Sequence, residues 1–276
     1  MITFSAFADE IGEDLKVQMD TCEASGIKCI DVRAIDGVNV SSMRVDQVRE
    51  YKKQMADRGF TVPCIGSPIG KIRISDDFDA HLDLLKYCCD VAMTFGTDLI
   101  RMFSFYPTEG KDITEQRGQV MDRMGAMLKV AEEADAVLMH ENESNIYGAK
   151  ADGVNDLFAT FKSDYFKCIF DPANFVNEGQ RPYDDCWTKG LAELTEYFHI
   201  KDKVRGAETC VPAGDGEGQF AEIFADLKAR DWSGYMTLEP HLAAAGQFAG
   251  FTGPNLFAKA VAALRGLCDG AGLAYK

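Results

Sequence analysis

Basic charge is in short supply in this chain, and histidine is scarcer still. Lys and Arg number 29 against 44 Asp and Glu, with only four His in 276 residues. A formal net charge of −15 lacks the basic footprint a phosphate backbone needs, so no nucleic-acid partner is expected. Long apolar runs are also missing. None approaches the ~18 residues a spanning helix requires, so no membrane contact is expected. Met1 to Glu10 lacks the basic start and apolar stretch of a secretory signal, which predicts a cytoplasmic protein. Nine cysteines, an odd number, contain no C-x-x-C pair, which predicts reduced thiols in a cytosolic chain. The glycines from Gly214 to Gly218 follow no strand–helix junction of the required kind, so they form no dinucleotide fingerprint.

What is present is a recurring design. Ala136-Val-Leu-Met-His-Glu141 is a short apolar run ending in a carboxylate, and three later stretches repeat it. They end at Asp171, His199 and Glu239, at separations of 30, 28 and 40 residues. That is the length of one strand plus one helix in a parallel sheet. Alternate strand residues share a face, so Glu141 lines up with Met139 and Val137, and Glu239 with Thr237 and Tyr235.

Along the chain, strands are expected at 2–8, 28–34, 60–65, 98–103, 136–141, 167–171, 196–202 and 234–239. Helices are expected between them: from a cap at Asp9 to Ser25, then over 45–58, 77–95, 115–134, 152–161, 183–191, 220–230 and 254–268. Gly66-Ser-Pro-Ile-Gly-Lys71 reads as loop, Pro172 as a strand breaker, and a loop through Gly246 and Gly250 leads to Pro254. Eight strand–helix units in ~250 residues predict an α/β fold, a (β/α)8 TIM barrel forming a single domain over residues 1–276. In such barrels the site lies at the C-terminal strand ends, where Glu141, Asp171, His199 and Glu239 all fall.

Taken alone, a carboxylate at a strand end is most simply an N-cap, and a lone His a core residue. Together, three carboxylates and an imidazole at one mouth would be costly without a cation. The donor set suits one divalent metal ion, Mn²⁺ first, with Mg²⁺, Co²⁺ and Zn²⁺ as alternatives.

The motifs His140-Glu-Asn-Glu143, Phe170-Asp-Pro-Ala-Asn-Phe175, His199-Ile-Lys-Asp202 and Leu238-Glu-Pro-His241 resemble those of the xylose-isomerase-like sugar phosphate isomerase/epimerase superfamily. Ser67-Pro-Ile-Gly-Lys71 and Arg101-Met-Phe-Ser-Phe-Tyr106 are similar to its third and fourth strand ends. The resemblance covers nearly the whole chain. It implies Glu141, Asp171, His199 and Glu239 as metal ligands, with Glu141 and Glu239 also the acid/base pair. It further implies a substrate contact at Arg205, six positions after His199. Asn174, three after Asp171, stands where the family's ketose 3-epimerases carry a His.

Chemically, moving a proton next to a carbonyl needs an electrophile and a base within reach. Two carboxylates on opposite sides permit epimerisation; one alone gives isomerisation or, with a leaving hydroxyl, dehydration. The expected function is a metal-dependent isomerase or epimerase of a small sugar, sugar acid or sugar phosphate. The alternative is a lyase acting on a keto-inositol or oxidised glycoside. An AP endonuclease of the same superfamily would need a three-metal cluster and more histidines, and a non-catalytic sugar-binding barrel would not need all four ligands. Lys201 shares the face of His199 and is expected to touch substrate or a ligand carboxylate. Arg101 and Lys71 are candidates for a substrate phosphate or carboxylate, or for ion pairs within the barrel. His241 is placed either at the mouth or in a structural loop role, and His81 on a helix surface. A small carbohydrate is the expected partner; self-association into a homo-oligomer is compatible with the sequence but not specified by it.

Overall fold

The computed structural model describes residues 1–243 and 252–276; the expected loop through Gly246 and Gly250 lies outside them. Seven parallel strands form one curled sheet: β1 (Ile2–Ala6), β2 (Cys64–Ile69), β3 (Leu99–Met102), β4 (Val137–Glu141), β5 (Phe166–Phe170), β6 (Thr195–Ile200) and β7 (Gly234–Leu238). Their order is β1-β7-β6-β5-β4-β3-β2, parallel throughout. The expected strand over 28–34 is present only as bridges, Ala6 to Ile30, Cys29 to Thr61 and Val32 to Ile65. These bridges join the sheet's two edges, so the segment fills the eighth place and the architecture is a TIM barrel.

Several boundaries move for identifiable reasons. Asp14, not Asp9, caps the first helix, accepting from Val17 N, and the helix runs Leu15–Ala24. Asp9 sits instead in a single 3-10 turn. The strand expected at 60–65 runs Cys64–Ile69 and includes the segment taken as loop. Gly66 is required there: a Cβ would lie 2.6 Å from Phe7 Cε1 and 2.9 Å from Arg33 Cβ. Gly70, at φ +87°, ends the strand against the carbonyl of Phe103. A short hairpin, Ala34–Ile35 with Val38–Asn39, was not expected. Nor was the helix Pro172–Asn177, where Pro takes the first turn and leaves the strand by starting a helix rather than a loop. The helix expected at 183–191 resolves into three short turns ending with Leu191–Leu194.

Inside the barrel, residues on one strand face stack in layers. Cys64, Met139, Ile169 and Tyr197 form a lower cluster with Leu99, Val137 and Tyr235 around it. One step up β3 to β6 come Arg101, Glu141, Asp171 and His199, and on β7 Glu239 comes two steps above Tyr235, all five buried. The larger core lies outside the sheet, between strands and helices. His81 belongs with it: it is buried, and its Nε2 accepts from Gly70 N at 2.7 Å. Burial pushes its pKa down to about 4, so it sits neutral under the sheet rather than on the surface. Among the described residues all nine cysteines are unpaired, and no helix is long and apolar enough to cross a membrane.

Candidate functional site

Glu141, Asp171, His199 and Glu239 converge at the C-terminal mouth. Each offers a ligand atom, and these atoms lie within 4.8 Å of one another. Asp171 shows both roles weighed for it in the sequence. Its Oδ1 caps the helix Pro172–Asn177, accepting from Asn174 N at 3.1 Å, while Oδ2 faces the cluster. Oδ2 and His199 Nδ1 are buried without a hydrogen-bond partner. Each does approach a charged neighbour, Lys201 Nζ at 2.7 Å and Glu141 Oε1 at 2.8 Å, but without hydrogen-bond geometry. Buried polar atoms are seldom left unpaired, and a set of them aimed at one point fits a ligand. The donor set fits a divalent cation.

Electrostatics hold the cluster ready. Burial raises the Glu141 carboxyl, but His199 and Arg101 outweigh it and bring it to about 2. Glu239 is likewise held well below the usual range, because Lys201, His241 and Arg33 overcome burial. Asp171 moves the other way: burial raises it, Lys201 only partly offsets that, and Glu141 and Glu239 add to it. A bound divalent ion would reverse this and keep Asp171 ionised.

A cavity of about 390 Å³ opens above the cluster, of a size suited to a small molecule. Its wall includes Arg33, Lys71, Arg101, Lys201, Glu143 and His241. Lys201 Nζ also lies 3.3 Å from Glu239 Oε2, so it touches two of the four candidate ligands. Arg101 reaches Glu141 Oε2 at 3.3 Å and the Gly66 carbonyl at 3.2 Å, and is sandwiched between the rings of Phe7 and Phe103 at 4.8 and 5.1 Å. Lys71 pairs with Glu143 Oε2 at 3.0 Å across the rim. Asn174 is buried behind the ligands, its Nδ2 donating to the Asn142 carbonyl at 2.8 Å, and it edges a neighbouring cavity. Arg205 stands apart from this group. It is exposed in the loop after β6 and does not line the cavity. That loop is organised by Asp202, whose carboxylate accepts from the backbone N–H groups of Gly214, Gly216 and Gly218 at 2.8, 3.0 and 2.8 Å. The glycine-rich stretch therefore cradles the chain's own carboxylate.

The sequence did not single out Arg33, Asp9, Glu10 or Glu143 as site residues. Arg33 is the centre of the first three. Its guanidinium meets Asp9 at 2.6 Å, Glu10 at 2.8 Å and Glu239 at 2.7 Å. The available signal was parity: Arg33 shares a face with Asp31 in the segment that fills the eighth strand place. His241 Nε2 completes the group, 3.1 Å from Glu10 and 3.5 Å from Glu239.

Residues 19–267 match the family described as xylose isomerase-like TIM barrel. The chain belongs to this family. No curated protein matches it. Among solved structures, this xylose isomerase-like barrel is similar to a D-tagatose 3-epimerase-like protein, with 11% identity, TM-score 0.76 and 98% of each chain covered. It is also similar to the probable 3-DHS dehydratase AsbF from Bacillus anthracis, at 14% identity and TM-score 0.74, covering 96% of this chain and 98% of that one. A third is a xylose isomerase-like TIM barrel protein from Mycobacterium smegmatis in complex with magnesium, at 16% identity and TM-score 0.71, covering 98% and 97%. Identities this low carry the fold.

One pH dependence follows from the His241 contacts. Burial lowers this imidazole's pKa, but the close Glu10 and Glu239 carboxylates, at 3.1 and 3.5 Å, outweigh it and raise it to about 9 from 6.5. The folded state therefore binds the proton more tightly than the unfolded chain does. The stabilisation is fully present below pH ~6.5, is lost as pH rises through about 9, and is worth on the order of 3 kcal/mol. Metal-free protein should melt at a lower temperature at pH 9.5 than at pH 6.5, and His241→Gln should shrink that difference. An equal difference in the variant would remove His241 as its source.

Proposed function

We propose that this barrel is a divalent-metal-dependent enzyme that isomerises or epimerises a small sugar, sugar acid or sugar phosphate. The convergence of Glu141, Asp171, His199 and Glu239, two of them with orphaned buried atoms, carries this reading. These four would hold the ion, Mn²⁺ or Mg²⁺ by donor type; similarity to a magnesium-bound barrel of the same fold supports a divalent ion. When bound, such an ion supplies positive charge beside a substrate carbonyl oxygen and makes the neighbouring C–H more acidic.

The chain's own groups do the rest. Glu141 and Glu239 rise from strands separated by two others, and both approach His199 Nδ1, at 2.8 and 3.5 Å. They form the acid/base pair, one accepting the proton and the other returning it. Lys201, Arg101 and Lys71 orient the substrate's oxygens, with His241 at the rim. Asn174 acts from behind through Asn142, and Arg205 contributes if its loop folds over the bound sugar. A D-tagatose 3-epimerase-like protein among the similar folds supports this chemistry.

The second reading is a dehydratase or lyase on a keto-inositol or oxidised glycoside. His241, which lines the cavity 3.5 Å from Glu239 and has its pKa raised to about 9, would supply the proton to a leaving hydroxyl. Similarity to a probable 3-DHS dehydratase favours the same outcome.

The deciding experiment incubates Mn²⁺-loaded protein in D₂O with a panel of ketoses, inososes, keto-acids and their phosphates. Solvent deuterium at the carbon next to the carbonyl, with carbon skeleton and hydroxyl count retained, is the expected result; loss of water selects the dehydratase. Chelation should abolish the exchange and lower the melting temperature, because the cation binds only the folded site and relieves the carboxylates' mutual repulsion. Exchange that survives complete metal removal would discard the metal-dependent reading.

A further inference from the structure

One fully buried carboxylate has no part in the chemistry above. Asp31 lies one layer below the candidate ligands, where three hydroxyls converge on it. Ser5 Oγ donates to Asp31 Oδ1 at 2.7 Å, and Thr237 Oγ1 donates to Oδ2 at 2.8 Å. Tyr197 OH reaches both oxygens, at 2.9 and 2.7 Å, and lies 3.1 Å from Thr237 Oγ1. No Lys or Arg among the described residues pairs with Asp31. A carboxylate buried without a cation is costly, and three hydroxyl bonds offset only part of that cost.

The placement of its partners explains what the cost secures. Tyr197 and Thr237 each stand two residues before a candidate ligand, His199 and Glu239, on the same strand face. Asp31 stands two residues before Arg33, which itself holds Glu239 at 2.7 Å. The segment carrying Asp31 joins its neighbours through isolated bridges, with Asp31 N donating to the Ala6 carbonyl at 2.9 Å and Val32 N to the Cys64 carbonyl at 3.2 Å, rather than through a continuous strand ladder, so side-chain contacts add to its placement. We propose that Asp31 is a positioning residue for the metal centre: through Tyr197 and Thr237 it sets β6 and β7, and with them His199 and Glu239, against the segment that carries Arg33. This rests on the metal-site reading above. Its logic is that of groups behind a metal's direct ligands, whose loss typically weakens metal affinity ~10–100-fold.

The test is Mn²⁺ binding by calorimetry, together with the rise in melting temperature that Mn²⁺ produces. Wild type, Asp31→Asn, Tyr197→Phe and Ser5→Ala are compared. Asp31→Asn should bind Mn²⁺ ~10–100-fold more weakly. Tyr197→Phe should lose threefold or more. Ser5→Ala should stay within threefold, since β1 carries no ligand. The metal-induced rise in melting temperature should shrink in the first two. A merely structural residue would lower the metal-free and loaded melting temperatures together and leave the rise unchanged. If Asp31→Asn does not fold, Tyr197→Phe decides by the same threefold threshold. Less than threefold loss in the folded variants of this pair overturns the proposal, as does a Ser5→Ala loss equal to theirs. A wild-type chain that binds no divalent ion overturns the metal-site reading and this inference with it; wild-type binding with unperturbed variants overturns this inference alone.

Discussion

Glu239→Gln should leave a folded, metal-binding protein whose proton exchange is ~10²–10⁴-fold slower, the typical worth of a general base. The fold should survive because the cations around Glu239 keep other acids. Arg33 retains Asp9 and Glu10, and Lys201 retains Asp171 at 2.7 Å. Metal should be held less tightly but still held, by Glu141, Asp171, His199 and one amide oxygen. What disappears is the ionised oxygen that can accept a proton. Lys201, His241 and Arg33 hold this carboxylate well below the usual range. Substrate oxygens that take over some of those contacts would raise its basicity. The measurement is deuterium incorporation at saturating Mn²⁺, with bound metal quantified in the same samples. A variant that keeps metal and exchanges at the wild-type rate would take Glu239 out of the mechanism. Exchange lost in Glu141→Gln and kept in Glu239→Gln would point to a single base, Glu141, and so to isomerisation.

The four candidate ligands were legible because a parallel barrel writes them in a simple form, an apolar run that stops at a polar side chain. Spacing gave the topology, and parity gave the face. The Gly66–Ile69 half of β2 was not legible, since glycine and proline argue against a strand unless something close by demands them. Here Phe7 and Arg33 demand a residue without a Cβ at Gly66. The Pro172–Asn177 helix was hidden for a related reason: a proline after a strand signals only that the strand ends. His81 misled because helical periodicity does not tell which face meets the sheet. Arg205 came from the family resemblance rather than from strand spacing. Six residues after His199 can fall anywhere in a loop, and this loop is shaped by Asp202 and three glycine N–H groups. Arg33 was overlooked because its segment shows an alternating pattern without a ligand at its end. Its importance comes from acids at positions 9, 10 and 239, which only the closed barrel brings together.

Arg33→Ala should therefore be among the most destabilising single changes at the mouth. It removes one partner from three buried or half-buried ion pairs at once. Removing one side of a buried pair typically costs ~3–5 kcal/mol, because the abandoned charge stays behind. For a domain of this size that corresponds to a fall of roughly 6–20 °C in melting temperature. Asp9 already marks the strain: burial raises its pKa, and Arg33 is the principal influence opposing the rise. Without Arg33, Asp9 loses its cationic partner among the described residues, Glu10 keeps His241, and Glu239 keeps His241 and Lys201. Arg33→Lys should recover little of the loss, since Nε, Nη1 and Nη2 each hold a different acid and a single ammonium cannot reach all three. Lowering the pH should narrow the gap between variant and wild type, as the abandoned carboxylates become protonated. The check is thermal melting of metal-free wild type, Arg33→Ala and Arg33→Lys at neutral and mildly acidic pH. If Arg33→Ala melts within about 2 °C of wild type, the three pairs contribute no net stability. The arginine would then serve only to aim Glu239, and the cost would appear in proton exchange instead.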